Sequence, residues 1–331
     1  ILPLQATPEE EAAATRFIQD SGLPLAAVAP GQYEGRGTLL VGEWGRQPGF
    51  DGFIVKRRLK GSQSLPPQGY YIRIWGKGAA VVGADPMGTF HGLQTLAQIA
   101  KQSGGLLPQL EIRDWPEKPT RGAYLRQVPD AEYLHQLALH KVNTLFLEDQ
   151  ALYTPGTSTS TPWASAAEAA RQLHMRVVPV FSTFGGALPL LYASPRAAEG
   201  ATAEQRSVLD GTQTVILGNS NIIETEALPI RVEVSGVRCT AGIDYALQAG
   251  DLQAPFNPIN RPWMLRRLPG GSIPSRATAP ISYSYVPQHT GALCPQAPET
   301  RILLEQAFPA LQAAFQPAGI HLGGEPLEAL N

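Results

Sequence analysis

Apolar and polar positions change rhythm along the chain, and each rhythm predicts a different kind of element. "ATPEEEAAATRFIQDSG" offers Thr7 as an N-cap, Pro8 at the first helical position, glutamates in the first turn and Gly22 as a stop, which predicts a helix. "DGFIVKRRLKG" and then "GYYIRIWGKGAAVVGAD" are bounded by glycine and proline and predict strands, the second stretch doubling back at Gly76-Lys77-Gly78. In "DPMGTFHGLQTLAQIAKQSGG", Phe90, Leu93, Leu96, Ala97 and Ile99 fall at helical spacing, and Gly104 and Gly105 close the helix. Residues 1–117 therefore predict a small α+β domain.

From Arg121 strands and helices alternate. "RGAYLR" predicts a strand; "DAEYLHQLALHKV" predicts a helix capped by Asp130, with Leu134, Leu137, Ala138 and Val142 on one face. "NTLFLED" is the next strand, "SAAEAARQLHM" the next helix, and "RVVPVF" a third strand with the near-continuous apolar run of a buried parallel sheet. This βαβαβ order opens either an α/β barrel or a doubly wound sheet. Residues 211–290, including "IRVEVSGVRCTAGIDYAL" and "APISYSYVP", read as alternating strands without a helix, an inserted β-rich module. "PETRILLEQAFPALQAAF" returns to helix, kinked near Pro309, and "GIHLGG" predicts a fourth strand of the 118–331 domain.

Composition narrows the function. The net charge of -2, without a basic stripe, gives no phosphate-neutralising surface and excludes nucleic acid as the expected partner. No run reaches the ~18 apolar residues of a membrane span. The chain begins with Ile1 rather than Met, which fits a processed N-terminus and export to an extracellular or periplasmic space as well as an expression boundary. Cys239 and Cys294 match no zinc spacing; they pair in an oxidising compartment or stay as two free thiols. No metal or cofactor is expected, since no HExxH helix and no glycine-rich phosphate loop follows a strand.

"GYYIRIWGKGAAVVGADPMGTFHGLQTLAQIA" followed by "LPQLEIRDWPEKPTRGAYLR" resembles glycoside hydrolase family 20, the β-N-acetylhexosaminidases and their relatives. Gly88, Gly92, Leu93, Gln94, Thr95, Leu96, Asp114, Pro116, Arg121 and Gly122 carry the likeness. The resemblance implies an α/β fold: a small zincin-like α+β domain followed by a (β/α)8-type barrel, present here only in part, with the β module inserted. It also implies cleavage of terminal N-acetylhexosamines by substrate-assisted retention. There the sugar's acetamido oxygen attacks the anomeric carbon, an Asp steadies the oxazolinium, and the adjacent Glu acts as acid and then base.

The family's acid pair lies in an "HxGGDE" motif ending the fourth strand, which here is "HLGGEP". His321, Gly323 and Gly324 align and one acidic residue is missing, so Glu325 stands either at the Glu position or at the Asp position with Pro326 after it. Glu325 is the catalytic candidate implied. Val180, Ser182 and Gly186 stand where the family has Glu, Asp and His, and the substrate-gripping Arg is replaced near Pro129. Glu148 and Asp149 follow the second strand, where they either cap the next turn or contact sugar hydroxyls. Tyr153 and Trp163, in the loop after that strand, are candidate walls of a sugar cleft, and His321 is a candidate substrate contact. The expected partner is thus a glycan or glycoconjugate, with self-association or a second chain completing the barrel. The alternative is a catalytically silent relative that binds carbohydrate or serves in assembly.

Overall fold

The structure is a computed structural model, and it describes residues 8–23, 37–148, 162–183, 185–288 and 290–323. The chain divides into two units. The first holds residues 1–147, 160–178 and 317–319, and the second holds 148–159, 179–316 and 320–331.

The first unit begins with α1 (Pro8–Ser21) and a four-stranded sheet. Its strands are β1 (Thr38–Glu43), β2 (Tyr70–Trp75), β3 (Gly78–Gly83) and β4 (Leu110–Asp114), in the order β1-β3-β2-β4. β1 runs parallel to β3, while β2 is antiparallel to both β3 and β4. The predicted hairpin turning after Trp75 is present. The predicted strand over 51–61 is not: Pro48–Lys56 forms α2. Pro48 opens that helix, Asp51 sits in its first turn, and Arg58, at φ 57°, lies beyond its end. Helical spacing then brings Phe50, Phe53 and Ile54 together against Leu40, Tyr71, Ala80 and Val82 on one sheet face.

α3 (Pro86–Gln102) covers the other face. Asp85 caps it, one carboxylate oxygen accepting from the Gly88 N–H at 2.7 Å and the other from the Gln68 N–H at 2.7 Å. Gly92 sets how closely the helix approaches: a Cβ there would lie 2.6 Å from Val81 Cγ1 and 3.2 Å from Tyr70 Cβ.

The same unit continues through β5 (Gly122–Leu125), α4 (Ala131–Leu139), β6 (Thr144–Leu147), α5 (Pro162–Gln172) and β7 (Arg176–Pro179), whose last residue, Pro179, belongs to the second unit. The strand order is β5-β6-β7, with β5 and β6 parallel. The Arg176 N–H donates to the Asn143 carbonyl at 2.9 Å, so β6 and β7 also start from one end. Asp130 caps α4 as its sequence predicts, accepting from the Tyr133 N–H at 2.7 Å. The observed alternation is α/β.

The second unit is dominated by two small sheets. β8 (Ala201–Leu209) pairs along its length with β15 (Ala277–Tyr285), whose other side meets β10 (Ile222–Ile223) and β11 (Arg231–Val234); β12 (Val237–Arg238) follows β11. Pro280 lies opposite Arg206, outside the short stretches that pair with β10 and β11, where its missing N–H is tolerated. The second sheet has the order β13 (Tyr245–Gln248), β14 (Met264–Arg267), β9 (Thr214–Ile216). Leu209, Ile222, Val232, Leu265, Ile281 and Tyr283 share one core, with Cys239 among them. Cys239 and Cys294 are both free thiols. The first strand of this module, β8, lies ahead of residue 211, because its alternation of exposed and half-buried residues begins at Ala201.

α6 (Leu188–Ala193) and α7 (Pro298–Phe315) complete the second unit, with Pro309 inside α7. The Phe308 ring meets the edge of Phe181, with centroids 5.5 Å apart.

Candidate functional site

In sheets built from parallel strands alternating with helices, chemistry gathers at the carboxyl ends of the strands. In the second unit, Val180, Phe181, Ser182 and Thr183 continue directly from β7, and all four are buried. His321 bridges Val180 in parallel: its N–H donates to the Pro179 carbonyl at 2.9 Å, and its carbonyl accepts from the Phe181 N–H at 2.7 Å. The Leu322 carbonyl accepts from the Thr183 hydroxyl at 3.0 Å. His321 and Leu322 thus form a short edge beside the β7 continuation.

His321 is exposed, and its Nδ1 accepts from the Gly323 N–H at 3.1 Å. That assignment puts the proton of a neutral ring on Nε2. Gly323 adopts φ 81°, and a Cβ there would lie 3.0 Å from the Ser182 Cα. A glycine is required both by the left-handed backbone and by this close approach.

The candidate residues fall into three groups. Glu148, half-buried directly after β6, and His321 lie on strand ends as their sequence positions predict. Asp149, Tyr153 and Glu325 lie outside the described residues. Trp163 is corrected: it is not in a loop but near the start of α5, 1% exposed. Its indole packs in the interior and is not offered as a wall to a ligand, because the apolar face of α5 begins at this residue. Chemically, Glu148 and His321 put a carboxylate and an imidazole at these strand ends, while the Ser182 and Thr183 hydroxyls are buried.

The opposite ends of β5, β6 and β7 carry a polar network that no local pattern announces. Asn143 is 1% exposed. Its amide nitrogen donates to the Pro119 carbonyl at 2.7 Å and to Gln68 Oε1 at 3.0 Å, while its Oδ1 accepts from the Arg121 N–H at 2.9 Å. The Arg121 guanidinium donates to the Lys141 carbonyl at 2.7 Å, the Lys118 carbonyl at 2.9 Å and Gln68 Oε1 at 2.9 Å. Its Nη2 also lies 3.5 Å from His91 Nε2.

Burial pushes the His91 imidazole down to about 3, and the nearby Arg121 guanidinium adds to the effect. Tyr70 donates to Asp114 at 2.5 Å and accepts from Lys141 Nζ at 2.9 Å. Burial, then the Asp114 bond, pushes its phenol well above the ordinary value. These groups tie the starts of β5 and β6 to Gln68 and Pro119. A polar residue stands just before each of β5 and β6, the half-buried Arg121 and the buried Asn143, but their partners are distant in the chain, so the position alone does not announce the network.

Among the described residues no group of three His, Cys, Asp or Glu side chains could hold a metal ion, and no helix is long and apolar enough to cross a membrane. A concavity of about 770 Å³ in the first unit is lined by Phe17, Ile74, Trp75, Lys77 and Leu107, among others. Among the described residues that line it, Lys77 is the one titratable side chain.

Residues 2–115 match the family model described as glycosyl hydrolase family 20, domain 2. The first part of the chain is therefore similar to that domain, as the resemblance around Gly88–Leu96 implies. Among solved structures, the chain is similar to a glycoside hydrolase family 20 β-N-acetylglucosaminidase at 16% identity and a TM-score of 0.49, covering 97% of this chain and 55% of that one. It is also similar to a GH138 enzyme targeting pectin rhamnogalacturonan II, at 16% identity and a TM-score of 0.41, covering 56% of this chain and 31% of that one. The chain thus spans little more than half the length of the β-N-acetylglucosaminidase.

Proposed function

We propose that the chain belongs to a glycoside hydrolase that releases N-acetylhexosamine from glycans by substrate-assisted retention, with β5 to β7 and the His321 edge as the first strands of its barrel. One observation carries this reading: the match to family 20 domain 2, ending at residue 115, is followed by a strand and helix alternation and then by the His321 bridge to Val180, with Glu325 four residues on in the sequence.

In this mechanism the Glu325 carboxyl gives its proton to the leaving glycosidic oxygen. The substrate's acetamido oxygen bonds to the anomeric carbon as the carbon–oxygen bond breaks. The Glu325 carboxylate then takes a proton from water, whose oxygen attacks the same carbon and reopens the oxazolinium ring. Glu148, Asp149 and His321 are the proposed contacts to sugar hydroxyls, with Tyr153 a stacking wall. Replacing Glu325 by Gln removes the proton donor, and turnover of a chromogenic N-acetylglucosaminide is expected to fall by about 10²-fold or more. Equal, background-level turnover by both proteins would sink the proposal.

A second reading rests on a different observation. At the positions where the family keeps Glu and Asp, this chain buries Val180 and Ser182, each 2% exposed. A relative that binds glycan without cleaving it, or serves in assembly, fits that loss. Calorimetric titration with N-acetylglucosamine oligomers separates the readings: binding without turnover favours the second, and neither binding nor self-association would count against it.

A further inference from the structure

Among the described residues β8 is paired on one side only. Its partner β15 runs antiparallel to it from Ala201 opposite Tyr285 to Leu209 opposite Ala277, and among the described residues no other strand meets β8. Its second edge presents the remaining backbone N–H and C=O groups of a nine-residue strand, on the order of 30 Å long. Such an edge is a template for another strand.

Its side chains specify which strand. Thr202, Glu204, Arg206 and Val208 form the exposed face. The Glu204 and Arg206 side chains are 55% and 76% exposed and lie 3.7 Å apart. Read in opposite directions from Gln205, the sequence is complementary to itself. An antiparallel copy centred there places Glu204 opposite Arg206 and Thr202 opposite Val208, twice each. Sliding the register by one pleat in either direction places Arg206 opposite Arg206, or Glu204 opposite Glu204. Opposite charges directly across a pair of strands stabilise it and like charges destabilise it, so the charges select the centred register.

We propose that β8 is a self-association edge: two copies of the chain join β8 to β8 about a twofold axis at Gln205, making one continuous sheet across the dimer. The contact is isologous, and each Glu204 and Arg206 joins a four-charge cluster in place of the single pair within the strand. A contact of one strand edge is modest in area, so the dimer forms as concentration rises. The inference is independent of the catalytic reading, because nothing in the strand-end site enters it.

Sedimentation of the full chain over a range of concentrations tests it. The unmodified protein is expected to show a monomer–dimer equilibrium. Glu204→Arg alone and Arg206→Glu alone each set like charges against each other and should raise the dimer dissociation constant at least about tenfold. An equimolar mixture of the two variants restores opposite charges at both pairs and should dimerise again. Unchanged far-ultraviolet dichroism and thermal midpoints would show that both variants fold, as expected at two exposed positions. A chain that stays monomeric to its solubility limit, or a dimer indifferent to both substitutions, overturns the proposal; the second outcome assigns the contact to another surface.

Discussion

His91 gives a stability prediction whose sign and size follow from its surroundings. The ring is 2% exposed, beneath the Arg121 guanidinium and near Lys141 and His174, and it stays neutral down to about pH 3. In the unfolded chain a histidine takes up its proton near 6.5. Between those values the unfolded state holds a proton that the folded state refuses. The contribution of the neutral ring is therefore complete above about pH 6.5 and is lost progressively as the pH falls toward 3. At about 1.36 kcal/mol for each pH step, lowering the pH from 6.5 to 4.5 should cost the folded state about 2.5 kcal/mol through this residue alone.

Gln cannot take up that proton, so His91→Gln should lose less stability over the same interval by about that amount, whatever its stability at neutral pH. Urea unfolding followed by far-ultraviolet dichroism at both pH values, on wild type and variant, measures the difference. Groups common to both proteins, such as Glu43, cancel in the comparison. Parallel loss in the two proteins would refute the account of His91 as a buried neutral ring.

Three further outcomes follow from particular contacts. Asn143→Ala leaves the Arg121 N–H and the Pro119 carbonyl without their side-chain partner, and should destabilise the first unit by about 2–4 kcal/mol in urea unfolding; hydrogen exchange should quicken first in β5 and β6. Gly92→Ala drives a methyl into Val81 and Tyr70 and should cost about 1–3 kcal/mol. Gly323→Ala opposes both the left-handed backbone and the Ser182 contact, and should lower the thermal midpoint more than Gly211→Ala, whose added Cβ meets nothing within 4 Å.

Much of the fold was legible where one physical cause dominates. Asp130 announced α4 because a carboxylate ahead of an apolar periodic stretch satisfies the first free N–H groups, and the helical spacing of Phe90, Leu93, Leu96 and Ala97 announced α3. "GYYIRIWGKGAAVVG" announced its strand pair because glycines bracket two apolar runs of strand length. "DGFIVKRRLKG" misled for the converse reason: three consecutive apolar residues suit either period, and Phe50, which sets the helical face, lies outside the quoted run. β1 passed without notice, since "TLLVGE" is a six-residue strand whose meaning lies in its parallel pairing with β3, 40 residues on. The family-model match begins at residue 2, well before Gly69, where the quoted motif begins.

The candidate site was legible only as an arrangement of positions along the chain. His321 and Glu148 could be placed because each follows or opens an apolar strand run. Trp163 was misplaced because a polar loop sequence, "TPGTSTSTP", runs up to it, whereas Pro162 opens α5 and turns the indole inward. The network around Asn143 was hidden because Gln68 and Asn143 lie 75 residues apart and meet only after folding.

The most direct measurement of the central claim compares hydrolysis of a nitrophenyl N-acetyl-β-glucosaminide with that of the corresponding β-glucoside, by wild type and Glu325→Gln. Substrate assistance requires the acetamido oxygen, so wild type should cleave the N-acetyl substrate alone at a rate above background, and Glu325→Gln should lose about 10²-fold or more of that rate. Cleavage of both substrates at similar rates, or wild-type turnover untouched by Glu325→Gln, would contradict the account.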